Sequence, residues 1–514
     1  MEGAIQIAEL LAALPLPEVF GPRQGAVTGV TSSSQEVTPG GCFVAVRGRR
    51  ADGHMYIADA LARGAALVVG EDPPPPDFPA DRTYTRVADA RRAVGSLAAA
   101  FYRHPTHSME VIGVTGTDGK TTTSTLIDAI ATASGRRTGL MSTVDFKIGD
   151  ARRLNNSRYT TLEAPEVQAL LAEMRDACVR TAVVETTSSG LELQRVWGVE
   201  YDIAVVTNIT SEHLEVHGSL ENYRRAKAML LERIDPARQK DLPVQPARAC
   251  VLNADDSSFA YVRPFCQAPL VRYGIETASD VRAENVQLGP DGSRFRVQLP
   301  DGEVFDVRTP LVARFNVYNA LAAIAVGHLL GIAPAALAEA LEHFGGVSGR
   351  MERIDCGQPF TVVVDYAHTA ASLEKVLDVL RPVTQGRLIV VFGSAGDRDR
   401  SKRPQMGAAA ARKADFAVIT DEDPREEDAM SILREIAAGA AAAGGREPAD
   451  YTCIVGRRAG IAAAFALARP GDTVLLAGKG HEQSIVIGRD KLPWDDRTVA
   501  REELAALGYR GPAR

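Results

Sequence analysis

Gly116-Thr117-Asp118-Gly119-Lys120-Thr121 follows the apolar run Val111–Thr115 and precedes a helical segment spanning Thr122 to Ala133. Glycines let backbone N–H groups approach phosphate oxygens, and a helix N-terminus adds the positive end of its dipole. Lys120 can neutralise phosphate charge, and the Thr121 hydroxyl can hold Mg²⁺. The general phosphate-loop pattern needs glycine at 114, where valine stands, so this is a shortened variant. ATP is the expected ligand. Glu185 closes the apolar run Thr181–Glu185, and His213 follows the run Ile203–Asn208. Oxygen from one and imidazole nitrogen from the other are expected to converge on a cation beside the γ-phosphate. The loop alone does not separate a kinase, a GTPase, an ATPase and a ligase.

Such residues need strand ends and helix starts to position them. Short β-branched runs followed by alanine-rich segments recur along the chain, the mark of βαβ units and parallel sheets, and predict an α/β protein. In the central region these are Val111–Gly116, Thr181–Glu185, Ile203–Asn208 and Cys250–Asp256; in the last region Thr361–His368, Leu388–Gly393, Phe416–Thr420 and Thr473–Gly480. Their polar residues lie just past the strand C-termini, where open α/β sheets bind ligands. Breaks near His104-Pro105-Thr106 and Gly345–Gly349 predict three domains, residues 1–106, 107–346 and 347–514. The first, with Gly41–Gly48 and Ala65–Glu71, reads as a smaller α/β unit.

The 514 residues suffice for about three cores, and 45% apolar with 24% charged residues describes a folded, soluble protein. A net charge of −7 argues against broad nucleic-acid or membrane-surface binding. Six scattered cysteines without a C-x-x-C pair read as buried thiols in a reducing compartment. The acidic N-terminal stretch is no secretory signal and reads as an amphipathic helix. Ala320–Ala338, interrupted by His328, Gly331 and Pro334, reads as a buried core helix, not a membrane span. A cytoplasmic location follows, with a monomer as the default.

A family resemblance then becomes clear. Gly116–Thr122, Glu185–Leu191, Thr207–Gly218, Tyr223–Leu231, Phe315–Asn319, Gly349–Glu352, Asp365–His368, Gly396–Pro404, Asp423–Arg425 and Gly478–Glu482 resemble, in order, the motifs of the Mur ligases, specifically the MurE type. The resemblance spans nearly the whole chain. It implies a three-domain fold: a smaller N-terminal UDP-sugar-binding domain, a central P-loop-type ATPase sheet and a C-terminal Rossmann-like amino-acid-binding sheet. It implies an ATP- and Mg²⁺-dependent ligase that adds an amino acid to UDP-N-acetylmuramoyl-L-alanyl-D-glutamate through an acyl phosphate, on the way to peptidoglycan.

Residue by residue, the resemblance implies Lys120, Thr121, Glu185 and His213 at the triphosphate and metal, and a carbamylated Lys227 as ligand of a second Mg²⁺. Carbamylation needs a neutral amine, which Arg224 and Arg225 are expected to favour. Asn316, Asn319, Arg350 and Asp365 fall on the adenine and ribose side. Ser34, Arg49, Arg50, Thr160, Thr161, Thr187 and Arg195 fall on the UDP-sugar peptide, and Arg398, Asp423, Arg425, Gly478 and Glu482 on the incoming amino acid. Departures from the family pattern are Ser33-Ser34-Gln35 for D-S-R, Leu162 for proline, Ser189 for histidine, Glu212 for aspartate and Ala370 for proline. Diaminopimelate-adding members read D-N-P-R where this chain has Asp423, whose carboxylate is expected to repel a second substrate carboxylate and welcome an amine. L-Lysine or L-ornithine is therefore expected over meso-diaminopimelate. The rival readings are a catalytically weak paralogue and a ligase with another acceptor, of the folylpolyglutamate or cyanophycin type. The glycine-rich joint Gly345–Gly349 reads as a hinge for domain closure.

Overall fold

The computed structural model describes residues 3–48, 51–157, 159–210, 217–289 and 291–511. Arg49, Arg50 and His213 lie outside the described residues. The β-branched runs form the expected strands. The six strands from Thr138–Met141 through Thr181–Glu185, Glu110–Thr115, Ile203–Val206 and Ala249–Asn253 to Leu270–Gly274 are parallel neighbours in an eleven-stranded sheet. Glu110–Thr115 is buried along its whole length because helices cover both faces of the sheet. The chain leaves this strand toward one side and later returns to the other, so the loop after Thr115 sits at a switch point.

The N-terminal region carries five strands in the order Glu18–Phe20, Thr83–Arg86, Leu67–Gly70, Cys42–Val44, Val30–Thr31. The C-terminal region carries six, in the order Glu352–Ile354, Thr361–Asp365, Thr473–Ala477, Leu388–Phe392, Phe416–Ile419, Tyr451–Cys453. All but the first of these six are parallel. The chain forms two compact units. One holds the residues up to Val286 with Arg294–Arg308 and Arg314–Phe344; the other holds Gln287–Ser293, Thr309–Ala313 and the residues from Gly345 onward.

Three expectations are corrected. The apolar stretch from Ala320 is two helices, Arg314–Leu329 and Pro334–Glu342, because Gly331 adopts φ +72° and Pro334 opens the second helix. The cysteines are not uniformly buried: Cys42 and Cys250 are, Cys178 is exposed, and the other three are half-buried. The N-terminal helix is only Ile7–Leu11, preceded by a short strand, Ile5–Gln6, that pairs with Ala26–Val27. Among the described residues, no helix is long and apolar enough to cross a membrane.

Candidate functional site

Lys120 opens the helix Lys120–Ala133, and Gly119 caps it at φ +78°. A Cβ on Gly119 would lie 2.2 Å from Asn319 Oδ1, so only glycine fits there. Lys120 Nζ donates to the carbonyls of Gly116 at 3.1 Å and Thr117 at 2.7 Å, curling the ammonium over the loop. The loop is braced by Asn208, whose carbonyl accepts from Thr117 N at 2.7 Å and whose Oδ1 accepts from Asp118 N at 3.0 Å. Thr207 Oγ1 adds a bond to the Asp118 carbonyl. Thr122 is half-buried in the first turn of the helix.

Glu185 ends its strand 1% exposed, beside Val114 in register. Its Oε1 accepts from Thr121 Oγ1 at 3.0 Å and from Thr143 Oγ1 at 2.9 Å, and its Oε2 from Thr143 N at 2.8 Å. The expected meeting of Thr121 and Glu185 is therefore present. Thr143, in the turn after Thr138–Met141, was not foreseen, and no local pattern in the sequence marks it. Carboxylate and hydroxyl oxygens are the hard donors Mg²⁺ takes, so these residues fit that ion. Among the described residues, no cluster of three or more His, Cys, Asp or Glu could hold a metal by itself.

Lys227, 1% exposed, lies on the helix Leu220–Ala228. Its Nζ donates to the Gly116 carbonyl at 2.6 Å and lies 4.4 Å from the centre of the Tyr223 ring. The four-residue spacing that puts Tyr223 on the same helix face is the signal that could have found it. Tyr223 OH is 3.2 Å from Thr117 Oγ1, which ties this helix to the phosphate loop. Arg224 donates to Ser258 Oγ at 2.8 Å and Arg225 pairs with Glu232 at 2.9 Å, so each of the two arginines near Lys227 also has a partner of its own.

Lys120 and Lys227 line one pocket of about 260 Å³ together with Tyr159, Thr160, Thr161, Thr187, Ser188, Ser189, Arg195, His217 and Tyr223. Four expected substrate residues thus meet the two lysines. Thr161 Oγ1 accepts from Thr187 N at 3.0 Å, and Thr160 Oγ1 lies 2.9 Å from Thr143 Oγ1. Arg195 donates to the Thr161 carbonyl at 3.2 Å, pairs with Glu163 at 2.7 Å and lies 4.5 Å over the Tyr159 ring. Its buried Nε has no hydrogen-bond partner among the described residues. Tyr159 and His217 were not foreseen as lining residues. Ser34 is buried in the N-terminal sheet region, where its hydrogen bond holds the Asp59 carboxyl below the usual range.

Asn319 contacts the phosphate loop: it packs on Gly119, accepts from Thr123 Oγ1 at 3.3 Å and donates to Asn316 at 3.0 Å. Arg350 and Asp365 belong to the second unit. Asp365 accepts from the N–H groups of Met351 and Ala367 at 2.8 and 2.9 Å, and burial pushes its carboxyl up despite Arg350. The Arg350 guanidinium lies 4.8 Å over Tyr366.

Within that unit the loops after three parallel strands, Leu388–Phe392, Phe416–Ile419 and Thr473–Ala477, carry the residues expected at the amino acid. Lys479 Nζ, fully buried, donates to Asp423 Oδ1 at 2.8 Å and Glu482 Oε2 at 2.6 Å. Asp423 Oδ2 lies 4.0 Å from Arg425 Nη2, and Arg425 takes φ +54°. Gly478, at φ +108°, donates its N–H to the Asp365 carbonyl at 3.1 Å. Arg398 is exposed. Two residues outside the expected set stand out. Glu422 is buried, its Oε2 without a hydrogen-bond partner among the described residues, and burial raises its carboxyl pKa, opposed by Lys402 and Lys479. His481 is pushed down to about 4 by burial, then by Arg350, Arg497 and Lys479.

That histidine makes stability pH-dependent. Its folded value lies below the unfolded value of 6.5, so between pH 6.5 and about 4 the unfolded chain binds the extra proton. Stability is present above pH 6.5 and is lost as pH falls, by up to roughly 3 kcal/mol. Asp365 and Glu422, both raised, act in the opposite sense. Denaturant titrations at pH 7 and 4.5 should therefore show a larger acid loss in the parent than in His481→Gln; equal losses would refute it.

A phosphate loop at a sheet switch point, joined to a second parallel α/β unit with charged strand-end loops, is the arrangement of ATP-dependent ligases that form amide bonds. Sequence and fold comparisons narrow this class. The profile of the Mur ligase middle domain matches residues 114–327, that of the Mur ligase glutamate ligase domain 349–480, and that of the Mur ligase family catalytic domain 26–102. A UDP-N-acetylmuramyl-tripeptide synthetase of Roseiflexus sp. (strain RS-1) is 49% identical, over 99% of this chain and 100% of the relative. A UDP-N-acetylmuramoyl-L-alanyl-D-glutamate–2,6-diaminopimelate ligase of Geobacillus thermodenitrificans is 41% identical, over 97% and 99%. A solved ligase described by that same enzyme name superposes with a TM-score of 0.69 at 28% identity, covering 98% of this chain and all of the other. The chain belongs to the Mur ligase family, in its MurE type, and is an ATP-dependent acid–amino-acid ligase with three α/β domains.

Proposed function

We propose that this ligase adds a diamino acid to UDP-N-acetylmuramoyl-L-alanyl-D-glutamate during peptidoglycan precursor synthesis. The observation that carries the reading is the single pocket in which Lys120 and Lys227 of the phosphate side face Thr160, Thr161, Thr187 and Arg195 of the acid side. A carboxylate is a poor electrophile, so its oxygen first takes the γ-phosphoryl group of ATP. The amine then attacks the acyl carbon, the C–O bond to phosphate breaks, and the amide forms. Phosphoryl transfer between two anions demands dense positive charge. Lys120 supplies one charge at the loop; Arg195 and the threonine hydroxyls hold the substrate carboxylate. Mg²⁺, when bound at Thr121 and Glu185 with His213, neutralises the charge that develops on the phosphates. Lys227 as its carbamate would add an anionic oxygen donor beside Gly116. Ser34, Arg49 and Arg50 remain proposed for the UDP group, Asn316, Asn319, Arg350 and Asp365 for the nucleoside of ATP, and Arg398, Asp423, Arg425, Gly478 and Glu482 for the amino acid.

The first reading of the amino acid is 2,6-diaminopimelate, which relatives of 38 to 43% identity carry in their names. A second reading, L-lysine or L-ornithine, is favoured by Asp423. The structure weakens the simple repulsion argument, since Lys479 pairs with both Asp423 and Glu482 and Arg425 Nη2 lies 4.0 Å from Asp423 Oδ2, so two cations face the two carboxylates. Product masses with the UDP-muramoyl dipeptide, ATP, Mg²⁺ and each amino acid test both readings. Highest kcat/KM with diaminopimelate would reject the second, and no tripeptide product with any of the three would reject the function.

A further inference from the structure

His217 is buried in the substrate pocket but belongs to none of the groups that bind ATP or the acid in the reading above. Its Nε2 lies 3.1 Å from Ser188 Oγ, and its Nδ1 lies 3.6 Å from Glu192 Oε2. Ser188 and Glu192 open and close one short helix, Ser188–Glu192, held by the Thr187 hydroxyl that accepts from Gly190 N at 3.0 Å. The ring packs on Tyr223 at 5.1 Å between centroids, and the His217 carbonyl accepts from Asn222 Nδ2 at 2.9 Å. Carboxylate, imidazole and hydroxyl thus run in series from the rim of the fold to the pocket wall. Among the described residues, the other charged groups lining that pocket are Lys120, Lys227 and Arg195; Lys120 and Arg195 are cations that cannot accept a proton while charged, and Lys227, as the carbamate proposed above, is committed to the metal.

Amide formation needs such an acceptor. When the amine attacks the acyl phosphate its nitrogen becomes cationic, and the amide is not secured until a proton leaves it. We propose that Ser188, His217 and Glu192 form the proton relay for this second half-reaction. The C–N bond forms and the C–O bond to phosphate breaks; one N–H proton passes to Ser188 Oγ as the Ser188 proton passes to His217 Nε2. Phosphate departs with the bonding electron pair, and Glu192 steadies the imidazolium until the proton returns to solvent. Ser188 is the residue that meets the amine; His217 and Glu192 act through it and are positioning residues. The relay rests on the ligase reading given above.

Hydroxylamine separates the two. It captures the acyl phosphate as a hydroxamate, and its attacking nitrogen becomes acidic enough to lose the proton to water without a protein base. The experiment compares full-length parent, Ser188→Ala, His217→Gln and Glu192→Gln, with ATP, Mg²⁺ and the UDP-muramoyl dipeptide, supplying either the amino acid or hydroxylamine. The ratio of amide to hydroxamate rate should fall about 100-fold in Ser188→Ala and His217→Gln and less in Glu192→Gln. The loss should lie in kcat and not in the KM for the amino acid, and the acid limb of the parent's kcat profile should be absent from His217→Gln. An unchanged ratio, whether both rates fall together or neither does, would overturn the relay. Hydroxamate formation by the parent serves as the control: if the parent forms none, the ligase reading itself fails, a result distinct from failure of the relay.

Discussion

Lys120→Met should lower kcat/KM for ATP by about 10³-fold, or about 4 kcal/mol of transition-state stabilisation. The argument is one of charge count and place. Lys120 is the one cation within the loop Gly116–Thr121, and its partners are two carbonyls of that loop, so its ammonium is held where a β/γ-phosphate would lie. Methionine keeps the side-chain length and the helix start while removing the charge, so the fold should survive. Lys120→Arg should recover little, because a planar fork cannot follow the path of a point charge through the narrow bend at Gly119. Steady-state kinetics with calorimetric titration of magnesium nucleotide checks this. A loss below tenfold, or one confined to KM, would remove Lys120 from phosphoryl transfer.

For Lys227→Ala the expected loss is of similar size, about 10³-fold in kcat, and it should be partly reversed by millimolar formate or acetate. A carbamate differs from an alanine by a stem and a terminal anionic group; a small free carboxylate can re-enter the space and restore the anion but not the stem. Two features make the site suitable. Lys227 is buried, and its nitrogen sits against Gly116 at the root of the phosphate loop, so a group added there lies beside the transferring phosphate. Rescue by formate together with a carbamate carbonyl signal in ¹³C NMR after labelling with bicarbonate would support the modification. Full activity in Lys227→Ala, or loss without rescue, would leave Lys227 as a buried ammonium bracing the loop and the Tyr223 ring.

The chain's motifs were legible wherever chemistry and backbone geometry demand the same residues. Gly116 and Gly119 are needed both to admit phosphate and to clear Thr207 and Asn319, so the loop could be read without coordinates. Glu185 was legible because it ends an apolar run, and a carboxylate at the end of a buried strand has few structural reasons to be there. Thr143 was not legible: its bonds to Glu185 come from a turn 42 residues away in sequence, and a threonine in a turn is ordinary. Likewise the sequence placed Arg224 and Arg225 near Lys227, but the partner each takes, Ser258 for one and Glu232 for the other, was not legible in it.

What the sequence determined alone, then, is the α/β class, the strand segments along the chain, the nucleotide loop and the family. These rest on local rules: short β-branched apolar runs, strand-to-helix turns and residue types that few other roles require. What only the tertiary structure decided is which distant groups share a charge or a proton. That Lys479 neutralises Asp423, that Asn319 supports Gly119, and that Ser188, His217 and Glu192 stand in series all depend on separations of a few ångströms between segments remote in the chain. The physical reason is that Coulombic and hydrogen-bond energies are set by distance and burial, and neither quantity is written in the spacing of residues along a chain.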